Sequence, residues 1–125
     1  MQAKTVLCDG RQAVKRALEG VETDFPFTLR HGFAHTRLTG ECVIWGEWSN
    51  VSTDCPVVDE IAFSVTVLAG DMDKLSRLCV GVNEAMLSLG LKRIYTSPDE
   101  FEDNRYTKTL RFGRRVDKRT MRLID

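Results

Sequence analysis

A two-residue alternation followed directly by a helical repeat most constrains how this chain folds. In residues 59–68 every second residue from Ile61 to Val67 is apolar, which predicts a strand with one buried face. In residues 75–89 the apolar residues recur at three- and four-residue spacings, which predicts an amphipathic helix. Asp71 stands where a helix cap is expected. This pair favours a sheet with helices packed on it.

Weaker patterns place the remaining elements around that pair. A first amphipathic helix is predicted over residues 5–19, ending at Gly20. Residues 31–40 and 49–56 are rich in turn formers and predict loops, and residues 97–103 predict an acidic turn. The other predicted strands cover residues 27–30, 41–48, 91–96 and 106–112.

The order of these elements predicts the fold class. Most of the predicted strands are adjacent in sequence and joined by short loops, which is typical of antiparallel pairing, and the last strand is expected to pair with the one before the acidic turn. We therefore expect an α+β fold with a mainly antiparallel sheet of four to five strands packed against two helices. Residues 1–113 are predicted to form a single domain and residues 114–125 an extended basic C-terminal arm.

Positive and negative charges are separated along the chain. The 125 residues hold 18 basic and 18 acidic side chains, so the formal net charge is +0. Residues 105–125 carry eight basic and two acidic side chains, or +6, and residues 1–104 carry −6. The predicted arm is too short to form a stable element alone. It either reaches a neighbouring copy, or stays a solvated tail, or contacts nucleic acid, in that order of preference.

Sequence motifs give little support to catalysis, metal binding or membrane insertion. No nucleophile elbow, HExxH motif or phosphate-binding loop occurs, and no apolar run is long enough to span a bilayer. The four cysteines form no CxxC pair and the N-terminus has no signal-peptide core, so we expect reduced thiols in a protein that folds where it is made. His31 and His35 are four residues apart, but the intervening Gly32 and the lack of helical periodicity argue against a metal site. We predict no enzyme activity, no cofactor and no metal.

Two tryptophans suggest a surface role for one of them. Trp45 and Trp48 are three residues apart in a predicted strand, so their side chains are expected on opposite faces of the sheet. The outward tryptophan either packs under a loop or contacts another subunit.

Four segments resemble the small tail terminator (tail completion) proteins of long-tailed bacteriophages. These segments are VIWGEWSNVSTD, EIAFSVTVLAGD, DKLSRLCVGVNEAMLSLGL and YTSPDEFEDNRYTKTLRFG, which span most of residues 43–113. The resemblance implies a structural virion protein that forms a hexameric ring on the head-proximal end of the tail tube. Such a ring ends tube polymerisation and provides the surface that joins the head.

The resemblance also implies the partners and the location. The partners would be further copies of the chain, the tail tube protein and a head-tail connector or neck protein, with DNA only as a passenger through the channel and no membrane contact. The location would be the virion tail, after assembly in the host cytoplasm. The alternatives are a head-tail adaptor or other neck protein and, in other classes, a small nucleic-acid-binding protein or a metal-dependent enzyme.

Charge separation suits subunits that pack head to tail, because one patch of each copy then meets a complementary patch of the next. The residues predicted to form a subunit or partner interface are the basic Arg105, Arg111, Arg114, Arg115, Lys118 and Arg119, the acidic Asp99, Glu100, Glu102 and Asp103, and Trp48. Among them Arg114, Arg115, Lys118 and Arg119 are predicted to contact the acidic turn of an adjacent copy. That turn could instead contact the tail tube.

Overall fold

The computed structural model describes residues 9–32 and 40–124, which form a sheet-dominated fold with two helices. The helices are α1 (Arg11–Glu19) and α2 (Met72–Ser88). The strands are β1 (Thr28–His31), β2 (Cys42–Ser52), β3 (Val58–Ala69), β4 (Lys92–Thr96), β5 (Glu100–Glu102), β6 (Arg105–Asp117) and β7 (Arg122–Ile124). The predicted combination of a mainly antiparallel sheet with two helices is confirmed, but the described residues form seven strands instead of the expected four to five.

All seven strands of the described residues belong to one sheet built around β6. The main strand order is β1-β2-β3-β6-β4, and β5 and β7 also pair with β6. Only the pairing of β1 with β2 is parallel; the others are antiparallel. Along one side β6 pairs with β3 over twelve positions, and along the other side it pairs with β5, β4 and β7 in turn. The predicted pairing of β4 with β6 is confirmed.

The hydrophobic core lies between one face of the sheet and the two helices. Phe63 of β3 and Phe112 of β6 are register partners with fully buried side chains. The helices contribute the next set of buried residues, Val14 and Leu18 from α1 and Leu75, Leu78, Val82 and Met86 from α2. Because these helical residues recur every three to four positions, one stripe of each helix is buried.

Both helices begin at a residue that suits a helix start. The side chain of Asp71 accepts a hydrogen bond of 2.8 Å from the backbone N–H of Lys74, which confirms the predicted cap of α2. After α2, Gly90 adopts a φ of 88°, a left-handed conformation in which glycine is unstrained. Helix α1 begins at Arg11 with Gly10 as its N-cap, so the predicted helix is wrong at residues 9–10, and residues 5–8 lie outside the described residues.

The C-terminal residues 114–124 fold back on the sheet, whereas the sequence predicted an extended arm. Strand β6 continues four residues past Gly113, and β7 then pairs antiparallel with its end. Val116 is buried and Leu123 packs against the core, so the apolar residues of this segment find a surface within the same chain. The predicted boundary at Gly113 therefore falls inside a strand.

Three predicted loops or turns are partly strands. Strand β2 continues to Ser52 because its second half pairs with the start of β3, after a bulge between Glu47 and Ser49. The predicted acidic turn contains β5, and His31 belongs to β1, while residues 33–39 of the predicted first loop lie outside the described residues. Pairing with a neighbouring strand thus overrides local turn preference in these segments.

Candidate interaction surface

The candidate site lies on the face of the sheet opposite the helices, which we call the open face. Its centre is formed by short side chains of β3, namely Ala62, Ser64 and Thr66, which are register partners of β6 residues. The hydroxyls of Thr66 and Thr109 are 3.1 Å apart and form a hydrogen bond across the two strands. The small side chains leave the centre flat, so larger neighbours stand above it.

Arg111 is held between two aromatic rings on the open face. Its guanidinium carbon lies 3.7 Å from the centroid of the Trp48 ring and 4.8 Å from the centroid of the Tyr95 ring. Cation–π contacts of this kind are each worth about 0.5–2 kcal/mol, depending on their exposure. We call Trp48, Arg111 and Tyr95 the Arg111 clamp.

Two strand irregularities place the rings on either side of Arg111. Trp48 is the extra residue of the bulge in β2, and Trp45 on the same strand is buried in the core. In β4 the register shifts between Arg93 and Tyr95, which sets Tyr95 directly opposite Arg111. The prediction that the two tryptophans face opposite sides of the sheet is confirmed.

The guanidinium of Arg111 forms no hydrogen bond or ion pair with residues 9–32 and 40–124. Its Nε atom is buried without a hydrogen-bond partner. A guanidinium carries five donors in one plane, and that plane matches the two oxygens of a carboxylate. The two aromatic rings therefore contact the faces of the guanidinium, and the N–H groups at its edge can still donate hydrogen bonds.

A shallow apolar groove lies beside the Arg111 clamp. It has a volume of about 350 Å³, and its lining includes Val51, Ile94 and Gly113. Val51 is 54% exposed and Ile94 is 59% exposed, which is high for branched aliphatic side chains. A Cβ at Gly113 would lie 3.3 Å from Cδ1 of Ile94, so the missing side chain lets Ile94 lie over the sheet. Contiguous exposed apolar residues of this kind mark interaction sites.

Five of the six basic residues predicted at an interface bind acceptors within the chain. Arg114 donates 2.6 Å and 3.2 Å hydrogen bonds to the carbonyl oxygens of Gly90 and Ile124. Arg105 donates a 3.3 Å hydrogen bond to the carbonyl oxygen of Gly40. The other three form ion pairs: Arg115 with Glu60 at 3.3 Å, Lys118 with Asp59 at 3.5 Å and Arg119 with Asp117 at 3.1 Å. The contacts of Arg114, Arg115 and Lys118 connect the end of β6 to neighbouring segments, and Arg111 is the exception among the six.

The acidic residues divide in the same way. Asp99 forms a 2.9 Å ion pair with Lys108. The other three acids of the turn are exposed, and the described part of the chain offers them no partner; they are Glu100, Glu102 and Asp103. Asp103 and Asn104 connect β5 to β6 with φ angles of 53° and 61°, as in a two-residue type I′ hairpin.

The histidines and cysteines form no comparable cluster. His31 stacks on Trp45 with 4.3 Å between ring centroids, whereas His35 and Cys8 lie outside the described residues. Burial raises the pKa of Cys79 to about 11 and also raises the pKa of Cys42. Within the described ranges, no three His, Cys, Asp or Glu side chains are arranged to hold a metal ion.

Sequence reasoning identified Trp48 and Arg111 but missed Tyr95, Ile94 and Val51. The adjacent pair Ile94 and Tyr95 carried a usable signal, because two large apolar residues next to each other in a regular strand cannot both face one core.

Comparison with protein-family models and with curated protein sequences gives no match. Neither helix of the described ranges is long and apolar enough to cross a membrane. The fold and this surface define a sheet-dominated α+β domain with an aromatic and cationic patch on one face.

Proposed function

We propose that this chain is a structural subunit of a bacteriophage tail of the terminator type. In this proposal six copies form a ring on the head-proximal end of the tail tube, stop its polymerisation and present the surface that joins the head. The observation that carries the proposal is the exposed patch of the Arg111 clamp with Ile94 and Val51. Tryptophan, tyrosine and arginine are the residue types most enriched among residues that dominate protein–protein binding.

The resemblance to tail terminator proteins supports the same proposal. Its four segments coincide with β2, β3, α2 and the β4 to β6 region. All three residues of the Arg111 clamp lie within those segments. The part of the chain that carries the resemblance is therefore the part that builds the surface suited to bind protein.

The decisive experiment is to determine the size and shape of the purified chain. We expect negative-stain images to show rings of six, and mass photometry to give a mass six times that of the 14.2 kDa chain. When tail tubes are added, the rings should bind one end only and stop further growth. A chain that stays monomeric at tens of micromolar, or that leaves tube growth unchanged, contradicts the proposal.

A pair of matched variants tests whether the open face is involved. Ile94→Asp places a charge on the open face, and Val80→Asp places the same charge on α2 at a residue with similar exposure, 56% against 59%. We expect Ile94→Asp to shift the rings toward smaller species and Val80→Asp to leave them intact. If Ile94→Asp leaves the rings as intact as Val80→Asp does, assembly does not use this face.

A further inference from the structure

We propose that the Arg111 clamp binds the acidic hairpin of a second copy of this chain. The acidic hairpin consists of Glu100, Glu102 and Asp103 at the β5–β6 connection. This inference rests on the proposed function, because it names the contact between neighbouring subunits of the ring.

The clamp is prepared to bind a carboxylate. The Trp48 and Tyr95 rings hold the guanidinium of Arg111 in one orientation, so little side-chain freedom remains to be lost on binding. The terminal nitrogens of this guanidinium have no acceptor among the described residues, and a carboxylate arriving at that edge of the plane would supply one. The two rings, 49% and 44% exposed, would be covered by the same contact.

The acidic hairpin has the charge and shape to be the occupant. Glu100 and Glu102 are two residues apart on β5, so both side chains point to the same face, and Asp103 follows at the tip. On the opposite face of β5, Phe101 stacks on Tyr106 with 4.8 Å between ring centroids, which braces the strand. Three carboxylates without a partner in the described residues are thus presented on one short hairpin.

One copy cannot satisfy both patches by itself. Glu100 is the register partner of Thr107, which lies four residues before Arg111 on β6, a separation of about 14 Å along the strand. Glu60 of β3, which lies on the same face, is paired with Arg115. Two complementary patches at separate places make a head-to-tail contact, and such contacts close into a ring when the rotation between copies fits.

Intrachain pairing narrows the predicted interface residues to these. Asp99 is paired with Lys108, and the other five basic residues predicted at the interface bind acceptors within the chain; they are Arg105, Arg114, Arg115, Lys118 and Arg119. The contact predicted from sequence between residues 114–119 and the acidic turn is thereby replaced by one between Arg111 and that turn.

A charge-swap experiment tests the contact directly. The clamp variant is Arg111→Glu, and the hairpin variant combines Glu100→Lys and Glu102→Lys, leaving Asp103 in place because its φ of 53° suits aspartate better than lysine. Each variant alone brings like charges together at every contact, so each should lose assembly, with a dissociation constant raised at least tenfold. In a 1:1 mixture every contact again joins opposite charges. Alternating rings of six should therefore reappear in sedimentation velocity and mass photometry.

The controls separate a lost contact from a lost fold. Arg16→Glu reverses one exposed charge on α1 and should leave assembly unchanged. Arg111→Lys keeps the charge but loses the planar group, so we expect assembly weaker than that of the native chain and stronger than that of Arg111→Glu. The hairpin variant changes exposed side chains only, so it tests the same contact even if Arg111→Glu lowers the thermal unfolding temperature.

The possible outcomes are distinct. If the native chain forms rings and both variants do so as well, the clamp contact is wrong while the proposed function stands. If the native chain forms another oligomer that the variants abolish and the mixture restores, the contact is supported and the ring is wrong. A mixture of two folded variants that fails to reassemble rules out the pairing of clamp with hairpin, and a monomeric native chain contradicts both proposals.

Discussion

Lys118 forms an ion pair with Asp59 in which both side chains are almost completely shielded from water. The Lys118 Nζ lies 3.5 Å from Oδ1 of Asp59, and the side chains are 12% and 5% exposed. One residue further along β3, Glu60 pairs with Arg115 at 3.3 Å, with both side chains more than half exposed. The same strand thus carries a buried and an exposed ion pair side by side.

The buried pair should matter far more for stability than the exposed one. Lys118→Met leaves the carboxylate of Asp59 buried without its cation, which typically reduces the free energy of unfolding by about 3–5 kcal/mol. Arg115→Met removes only an exposed pair, for which we expect a loss below about 1 kcal/mol. Urea denaturation of both variants provides the comparison.

A double variant identifies the cause of the stability loss expected in Lys118→Met. Replacing both partners with Asp59→Asn and Lys118→Met removes the buried charge as well as its cation, so stability should recover part of what Lys118→Met alone loses. If the double variant is less stable than the single one, the isolated carboxylate is not the reason.

Neighbouring atoms on two sides leave no room for a side chain at Gly113. A Cβ built there lies 2.8 Å from the carbonyl oxygen of Ile61 and 3.3 Å from Ile94. We expect Gly113→Ala to destabilise the protein by about 1–3 kcal/mol, because the backbone of a central strand has to move. Thermal unfolding checks this, with Gly70→Ala as the matched control, because its Cβ meets nothing closer than 3.7 Å. A similar loss at Gly70 would contradict the steric explanation.

The cap of α2 should contribute measurably to stability. Asp71→Ala removes the acceptor for the backbone N–H of Lys74 and should reduce the free energy of unfolding by about 1 kcal/mol. Asp73→Ala removes an acid from the same helical turn that only pairs with Arg77 on the surface, so its effect should stay near 0.3–0.5 kcal/mol. If the free energy of unfolding falls more in Asp73→Ala than in Asp71→Ala, the cap is not the main contribution of this turn to stability.

The thiols should differ sharply in reactivity. In a Cys8→Ser background the exposed Cys55 should react quickly with Ellman's reagent at pH 8, while Cys42 and Cys79 should react only after unfolding. Since the pKa of Cys79 is raised to about 11, almost none of it is thiolate at pH 8, and the thiolate is the reactive form. Cys55→Ser in the same background should abolish the fast phase; a fast phase that persists would locate it at one of the other two thiols.

The parts of the fold with a strong local period could be predicted from the sequence. Strand β3 and helix α2 lie within one to three residues of the predicted bounds, because alternation and the helical repeat record burial directly. The second half of β2 could not be predicted, since Ser49, Asn50 and Ser52 favour turns and become a strand only by pairing with β3. The C-terminal segment was predicted to be an extended arm because it is too short to form a stable element alone. Its place in the sheet depends on pairing with the end of β6 and on the packing of Val116 and Leu123 against the core.

Only part of the candidate site could be predicted from the sequence, for a similar reason. The spacing of Trp45 and Trp48 already required one tryptophan on the open face, and the structure confirms it. That Arg111 would stack on Tyr95 could not be predicted, because the register shift in β4 sets the two residues opposite each other. Pairing between distant strands, and not local sequence, creates the clamp.

Strand β6 is long and continuous, whereas the strands along one of its sides are three short, separate pieces. Each piece can detach without disturbing the other two or the pairing of β6 with β3. Hydrogen exchange should therefore be slowest along β3 and β6 and faster, piece by piece, in β5, β4 and β7. A sheet margin divided in this way can accept insertions or conformational change at one piece while the long central pair stays intact.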